Sequence, residues 1–195
     1  MTKLNELKQH LCPGQVYRRA QLAQWSTAVD RHLKQLVNEG TLLKLSGGLY
    51  HHPKKTAFGA APADDKTLVQ AFLKDDRFIL TSPNDYNALG VGTTQLYNEA
   101  VVYNYKRHGR HKLGGRVFYF RIKLDLPNTL NKEFLLVDLV NNLDRLAEDH
   151  AAVLKRVKAT AMTGAALANA VRHYGTVSTR KFFAQIMPSE RLIYA

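Results

Sequence analysis

The chain has 195 residues, 45% of them hydrophobic, with one cysteine and a formal charge of +12 from 28 Lys and Arg against 16 Asp and Glu. That length and apolar share suit one large or two small packed domains and exclude wholesale disorder, and the lone Cys12 excludes an intrachain disulfide and points to a reducing cytoplasm. No apolar run approaches a membrane span and no secretory hydrophobic region opens the chain, so no membrane partner is expected, whereas the charge favours a polyanion.

In chain order, Leu4, Leu7 and Leu11 mark an opening helix. Cys12-Pro13-Gly14 reads as a connector, and a second helix is predicted over about Arg18 to Trp25, with Leu22 and Trp25 inward. Ser26 stands where an N-cap hydroxyl would accept an orphan N–H. Val29, Leu33, Leu36 and Val37 then recur at helical spacing, and Gly40 ends the helix because glycine tolerates positive φ. The face opposite that stripe holds Thr27, Arg31, Lys34, Gln35 and Asn38, all able to reach a phosphate or a base edge. Arg31 could pair bidentately with a guanine, and Gln35 or Asn38 with an adenine. Thr41–Leu45 and Leu49–His52 read as short strands around Ser46-Gly47-Gly48, a turn whose glycines suit a tight hairpin. Lys44, His51, His52, Lys54 and Lys55 decorate it, and such a cationic wing would lie along phosphates. Helix, turn, helix, glycine and basic hairpin in this order predict a winged helix-turn-helix. Its candidate DNA-binding residues are Arg18, Ser26, Thr27, Arg31, Lys34, Gln35, Asn38, Lys44, His51, Lys54 and Lys55. The charge agrees: residues 1–60 carry +6, residues 61–124 carry +4 and residues 125–195 carry +2.

The expected fold class is therefore α+β. A winged domain over 1–55 is followed by a linker over 56–65, rich in Ala, Gly and Pro, and a mixed α/β domain over 66–195 with a helical end. In that second domain Leu68, Val69, Phe72 and Leu73 predict a helix, 78–81 a buried strand, and 85–89 a short helix ended by Gly90. Residues 101–105 and 117–124 alternate as strands, the latter with Phe118, Phe120, Ile122 and Leu124 on one face. Between them, 106–112 reads as a loop whose Lys106, Arg107, Arg110 and Lys112 form a second basic site, either phosphate- or partner-binding, or simply a solvated tip. Helices are predicted from about Lys132, with Leu136, Val140 and Leu143 on one face, and over 149–158, 164–174 and 179–187.

Enzymatic signatures are weak. The chain has no Gly-x-x-x-x-Gly-Lys loop, no His-Glu-x-x-His pair and no nucleophile elbow at Ser82 or Ser178. The eight histidines lack a ligand spacing, so neither metal nor cofactor is expected. The alternative is a metal-dependent nuclease using second-domain carboxylates, with Asp85 and Glu99 beside Lys106 and Lys123 as the best set. Asp64-Asp65 and Asp75-Asp76 read as helix-flanking pairs. A protein-binding module without catalytic function is the other alternative.

Several short segments resemble the AbiEi-type antitoxins of bacterial type IV toxin–antitoxin systems. They are Leu36-Val37-Asn38-Glu39-Gly40 with Leu49-Tyr50 and Pro53, then Lys54-Lys55-Thr56-Ala57-Phe58-Gly59. Farther on they are Ala88-Leu89-Gly90 and Thr94-Gln95 within Ser82 to Gln95, and Tyr174 with Thr179-Arg180 before an apolar helix. The resemblance implies an N-terminal domain that binds double-stranded operator DNA and represses its own operon. It also implies a C-terminal domain that counters a nucleotidyltransferase-like toxin without a stable complex. The expectation is thus a cytoplasmic DNA-binding repressor, not an enzyme, with no small-molecule substrate.

Overall fold

The computed structural model describes residues 2–160 and 164–187, which mix helices with antiparallel strands. The chain runs through α1 (Lys3–Gln9), β1 (Val16–Arg18), α2 (Arg19–Leu22), a 3-10 turn (Ala23–Trp25), α3 (Val29–Asn38), β2 (Leu43–Ser46) and β3 (Leu49–His51). Next come β4 (Lys55–Thr56), β5 (Gly59–Ala60), α4 (Asp65–Leu73), β6 (Phe78–Thr81), a 3-10 stretch (Pro83–Leu89), β7 (Ala100–Asn104), β8 (Gly109–Leu113) and β9 (Arg116–Ile122). The last helices are α5 (Lys132–Asn141), α6 (His150–Ala159), α7 (Ala165–Tyr174) and α8 (Val177–Ala184), with a 3-10 turn at Leu143–Arg145. Contacts gather the chain into two compact units, Met1–Arg77 with Lys106–Phe118, and Phe78–Tyr105 with Tyr119–Ala195.

The first unit is built on the apolar stripe of α3. Val29, Leu33 and Leu36 are buried there against Leu7, Leu11, Leu22 and Leu42, so one helix face is anchored in a closed core. Gly40 follows with φ +72°, where a side chain would be strained, and turns the chain into β2. The start of α3 differs from expectation. Ala28, not Ser26, holds the N-cap position, without a side-chain bond. The Ser26 hydroxyl is buried, accepts from the Ala28 amide at 3.2 Å and lies 2.7 Å from Nδ1 of His32. It braces the turn from inside, because His32 also faces inward, a placement that a polar residue does not announce in the sequence. The hairpin β2–β3 gains a third strand that is too short for alternation to reveal. β1 pairs antiparallel with β3 to give the order β1-β3-β2, with Val16 and Leu43 both opposite His51.

Residues 56–65, read from composition as a linker, lie inside this unit and contain most of the two-stranded hairpin β4–β5. Asp64 then caps α4 by accepting from the Thr67 amide. The basic stretch expected as a loop is largely strand β8. The turn falls instead at Gly114-Gly115, both at positive φ, and the Gly114 amide donates to the Leu45 carbonyl at 3.1 Å.

The second unit has β6 and β7 antiparallel, Phe78 opposite Asn104 and Thr81 opposite Val101, with β7 standing between β6 and β9. Its core gathers α5, α7 and α8 with Tyr86 and Val91, and Leu136, Val137, Leu139, Val171 and Phe183 are fully buried. α5 is enclosed on nearly every side, Phe134 to Leu139 all buried, so the single face expected for it underestimated its burial. Conversely, Ile122 and Leu124 share the face of Phe118 and Phe120 in sequence but are exposed, because β9 ends at Ile122 and the strand leaves the core there. Among the described residues no helix is long and apolar enough to cross a membrane.

His51 is 1% exposed, and neither ring nitrogen has a partner among the described residues. Burial, and secondarily the neighbouring His52, pushes its imidazole below its ordinary value of 6.5. The neutral form is thus favoured in the folded chain, so this contribution is fully present above about pH 6.5 and is lost as pH falls toward the lowered folded value. His51→Leu is expected to flatten the acid side of the urea-midpoint-versus-pH curve and to raise stability at pH 5 by roughly 1 kcal/mol. An unchanged acid slope would show that the ring is not the titrating group.

Candidate functional site

α3 presents Arg31, Lys34, Gln35 and Asn38 to solvent along one side, directly opposite its buried stripe, and Thr27 is exposed in the turn before it. Ten residues span about 15 Å, enough to lie along a groove. A cleft of about 310 Å³ runs between this helix and the hairpin, lined by Asp30, Leu33, Lys34, Val37, Asn38, Lys44 and Tyr50. It brings Lys34 and Asn38 of the helix to the same concavity as Lys44 of β2.

Neighbouring charges are paired in a way that shapes this face. Arg19 forks onto Asp30, Nε to Oδ1 at 2.7 Å and Nη2 to Oδ2 at 2.6 Å, which holds the carboxyl low and the guanidinium high. Glu39 at the helix end accepts from Lys8 at 2.7 Å and from Gln35 at 2.9 Å, and these bonds hold its carboxyl low. Asp30 of α3 and Glu39 just after it are therefore matched by cations from other elements, while no ion pair is formed by Arg31 or Lys34 among the described residues. One Nε2 hydrogen of Gln35 is thereby committed to Glu39.

Lys54 and Lys55 are exposed after β3, the Lys54 stem lying against Gly14, where a Cβ would come within 2.7 Å of it. Three residues expected at the interface belong elsewhere. Ser26 is buried beneath α3, and His51 is a core residue because an inward strand position outweighs its polarity. The Arg18 guanidinium donates to the carbonyls of Ala71 and Phe72, the latter at 3.1 Å, so it caps the end of α4. Burial, and then the Arg107 charge, lowers its affinity for the proton.

The second basic stretch is part of the same compact unit. Arg110 and Lys112 are exposed and share one face of β8, while His111 tilts against Phe72 and Leu113 is buried. Arg107 stacks over the Phe72 ring at 4.5 Å. Lys106 bridges to Asp75 at 2.8 Å, and Arg77 and then Lys106 hold that carboxyl well below the usual range. With this stretch the first unit carries 17 Lys and Arg against 7 Asp and Glu, +10 of the chain's +12.

In the second unit a buried polar cluster forms around Asp138. Asp138, at 0% exposure in α5, accepts from Tyr86 at 2.8 Å, Tyr103 at 2.8 Å, Lys123 at 2.9 Å and Asn142 at 3.1 Å. Lys123 also lies 3.9 Å above the Tyr103 ring. Burial, and then the Asp138 charge, pushes both phenols up, so they stay protonated donors. Only the alternation of β9 and the odd Asp inside an apolar helix pattern could have hinted at the pair. Of the set weighed for a nuclease, Lys106 pairs with Asp75 and Lys123 with Asp138. Asp85 accepts from the Thr81 hydroxyl at 2.8 Å and the Ser82 amide at 2.9 Å, which makes it part of a helix-start cap. Among the described residues no cluster of three His, Cys, Asp or Glu side chains is placed to hold a metal ion. Neither a family model, nor a curated protein, nor a solved structure matches this chain.

Proposed function

We propose that the chain is a sequence-specific DNA-binding repressor whose first unit is a winged helix-turn-helix, with α3 as the recognition helix and β2–β3 as the wing. The observation that carries this reading is the exposed row Arg31, Lys34, Gln35 and Asn38, backed by the buried Val29, Leu33 and Leu36, in a unit of +10. The order α1-β1-α2-α3-β2-β3, with β1 closing the sheet beside β3, supports it. In this mechanism Arg31, Lys34 and Asn38 enter a major groove, Lys44, Lys54 and Lys55 hold the backbone, and the bound chain occludes a promoter.

Titration of labelled duplexes tiled across the region upstream of its own reading frame tests this, against scrambled duplexes and over several salt concentrations. Arg31→Ala is expected to cost roughly 1–3 kcal/mol on the preferred duplex and little on the scrambled one. Lys54→Ala is expected to weaken both alike and to reduce the salt slope by about one unit. Equal losses on the two duplexes for Arg31→Ala would remove it from the readout, and no duplex binding by the wild-type chain at low salt would end the proposal.

Following the resemblance, we further propose that the repressor is the autoregulating antitoxin of a type IV pair, its second unit countering a nucleotidyltransferase-like toxin without a stable complex. Co-expression with the neighbouring gene product tests this by growth, and a pull-down tests it by contact. Growth arrest that this chain relieves, with no captured complex, is the expected outcome. A stable complex would overturn the no-contact mechanism.

A further inference from the structure

Phe58 is 101% exposed, a phenylalanine with no internal contact to justify its position. It does not sit on a formless loop. The hairpin β4–β5 pairs Lys55 with Ala60 and Thr56 with Gly59, leaving Ala57 and Phe58 as the two tip residues. The Thr56 hydroxyl donates to the Gly59 carbonyl at 2.8 Å and accepts from the Phe58 amide at 3.2 Å. Gly59 takes φ +105°, and below it the Ala61 amide donates to the Lys54 carbonyl at 2.8 Å, so the ladder continues to the base. An aromatic ring is thus held outward on a short braced arm, with the exposed cations Lys54 and Lys55 at its root.

We propose that Phe58 is a wedge for duplex DNA: the tip ring stacks on or between base pairs while Lys54 and Lys55 contact the flanking phosphates. Apolar side chains inserted as wedges at base steps partly unstack and kink duplex DNA, and aromatic rings stack on bases without hydrogen-bond readout where strands are open. The local charge selects this occupant. A second copy of the chain would bring lysine pairs together in a unit already at +10, whereas a polyphosphate backbone complements them. The bracing within the hairpin means that little conformational freedom is lost when the ring inserts. The inference rests on the DNA-binding reading above and adds to it a contact that carries no hydrogen-bond code. It acts through the deformability of the step it meets.

The test uses the full chain, the upstream duplexes and two variants. Phe58→Ala is expected to keep the wild-type melting temperature, since the ring touches nothing, and to bind the preferred duplex about tenfold more weakly. Phe58→Trp is expected to bind near wild-type strength, its added emission quenched on duplex addition beyond the change seen from Trp25 in the parent. If the parent binds duplex while Phe58→Ala binds equally well and Phe58→Trp emission is unmoved, the wedge is wrong and the DNA-binding reading stands. If the parent ignores duplex, both fall. Loss of self-association in Phe58→Ala, with duplex affinity intact, would assign the ring to a chain–chain contact and also overturn the proposal.

Discussion

Asp138→Ala is expected to lower unfolding stability by about 3–5 kcal/mol, enough to remove much of a typical domain's margin. The carboxylate is wholly buried and collects donors from the Pro83–Leu89 turn, β7, Lys123 just after β9 and the residue that ends α5. Truncation leaves the Lys123 ammonium, whose side chain is 23% exposed, without its counter-charge above the Tyr103 ring. It also strands two phenol donors and opens a cavity. The cost thus comes from what remains unpaired and not from a generous net worth of the pair. Asp138→Asn keeps the shape and most hydrogen bonds, so about 1–3 kcal/mol is expected for it. Urea titrations followed by far-ultraviolet circular dichroism would compare the three chains. A loss below 1 kcal/mol for the alanine variant would mean that the cluster is hydrated or relaxes without strain.

Leu36→Ala is expected to cost about 2–5 kcal/mol, because the side chain is at 0% exposure in the cluster that seats α3 on α1, α2 and Leu42. Under the proposed DNA-binding function, its effect on duplex binding separates scaffold from readout. A loosened α3 no longer holds Arg31 and Lys34 in a fixed frame, so affinity is expected to fall together with the melting temperature. Arg31→Ala should lower affinity alone, since its side chain is exposed and unsupported by packing. Trp25, half-buried and stacked on His10 at 4.5 Å, offers a fluorescence signal for this core. If Leu36→Ala loses stability but keeps both affinity and sequence preference, the seating of the helix does not control recognition.

Elements with strong local codes were legible in the chain. The 3.6-residue stripe of α3, the glycine at its end, the Gly47-Gly48 hairpin and the helix-flanking Asp64 were readable, because each depends on residues within one turn of one another. Long-range partners were not legible. β1 has only three residues and becomes a strand because β3 offers it an edge, and Arg110 with Lys112 belong to a strand because the turn lies at Gly114-Gly115. For the candidate site, exposure of Arg31, Lys34, Gln35 and Asn38 follows from periodicity alone. The inward turn of Ser26 and His51 does not, since a polar side chain carries no signal of which face packing will choose.

The sequence by itself determined the charge excess, the helical and strand periodicities and the chemistry of one helix face, because these reside in composition and near-neighbour spacing. Only the tertiary structure decided which ionisable groups would be withdrawn from solvent. Burying Asp138 requires Tyr86, Tyr103, Lys123 and Asn142, up to 52 residues distant along the chain, to converge on it. Drawing Lys106 and Arg107 onto Asp75 and Phe72 likewise joins segments more than thirty residues apart into one compact unit. Such placements are set by the desolvation of charge against packing from distant elements, and no local pattern encodes that balance.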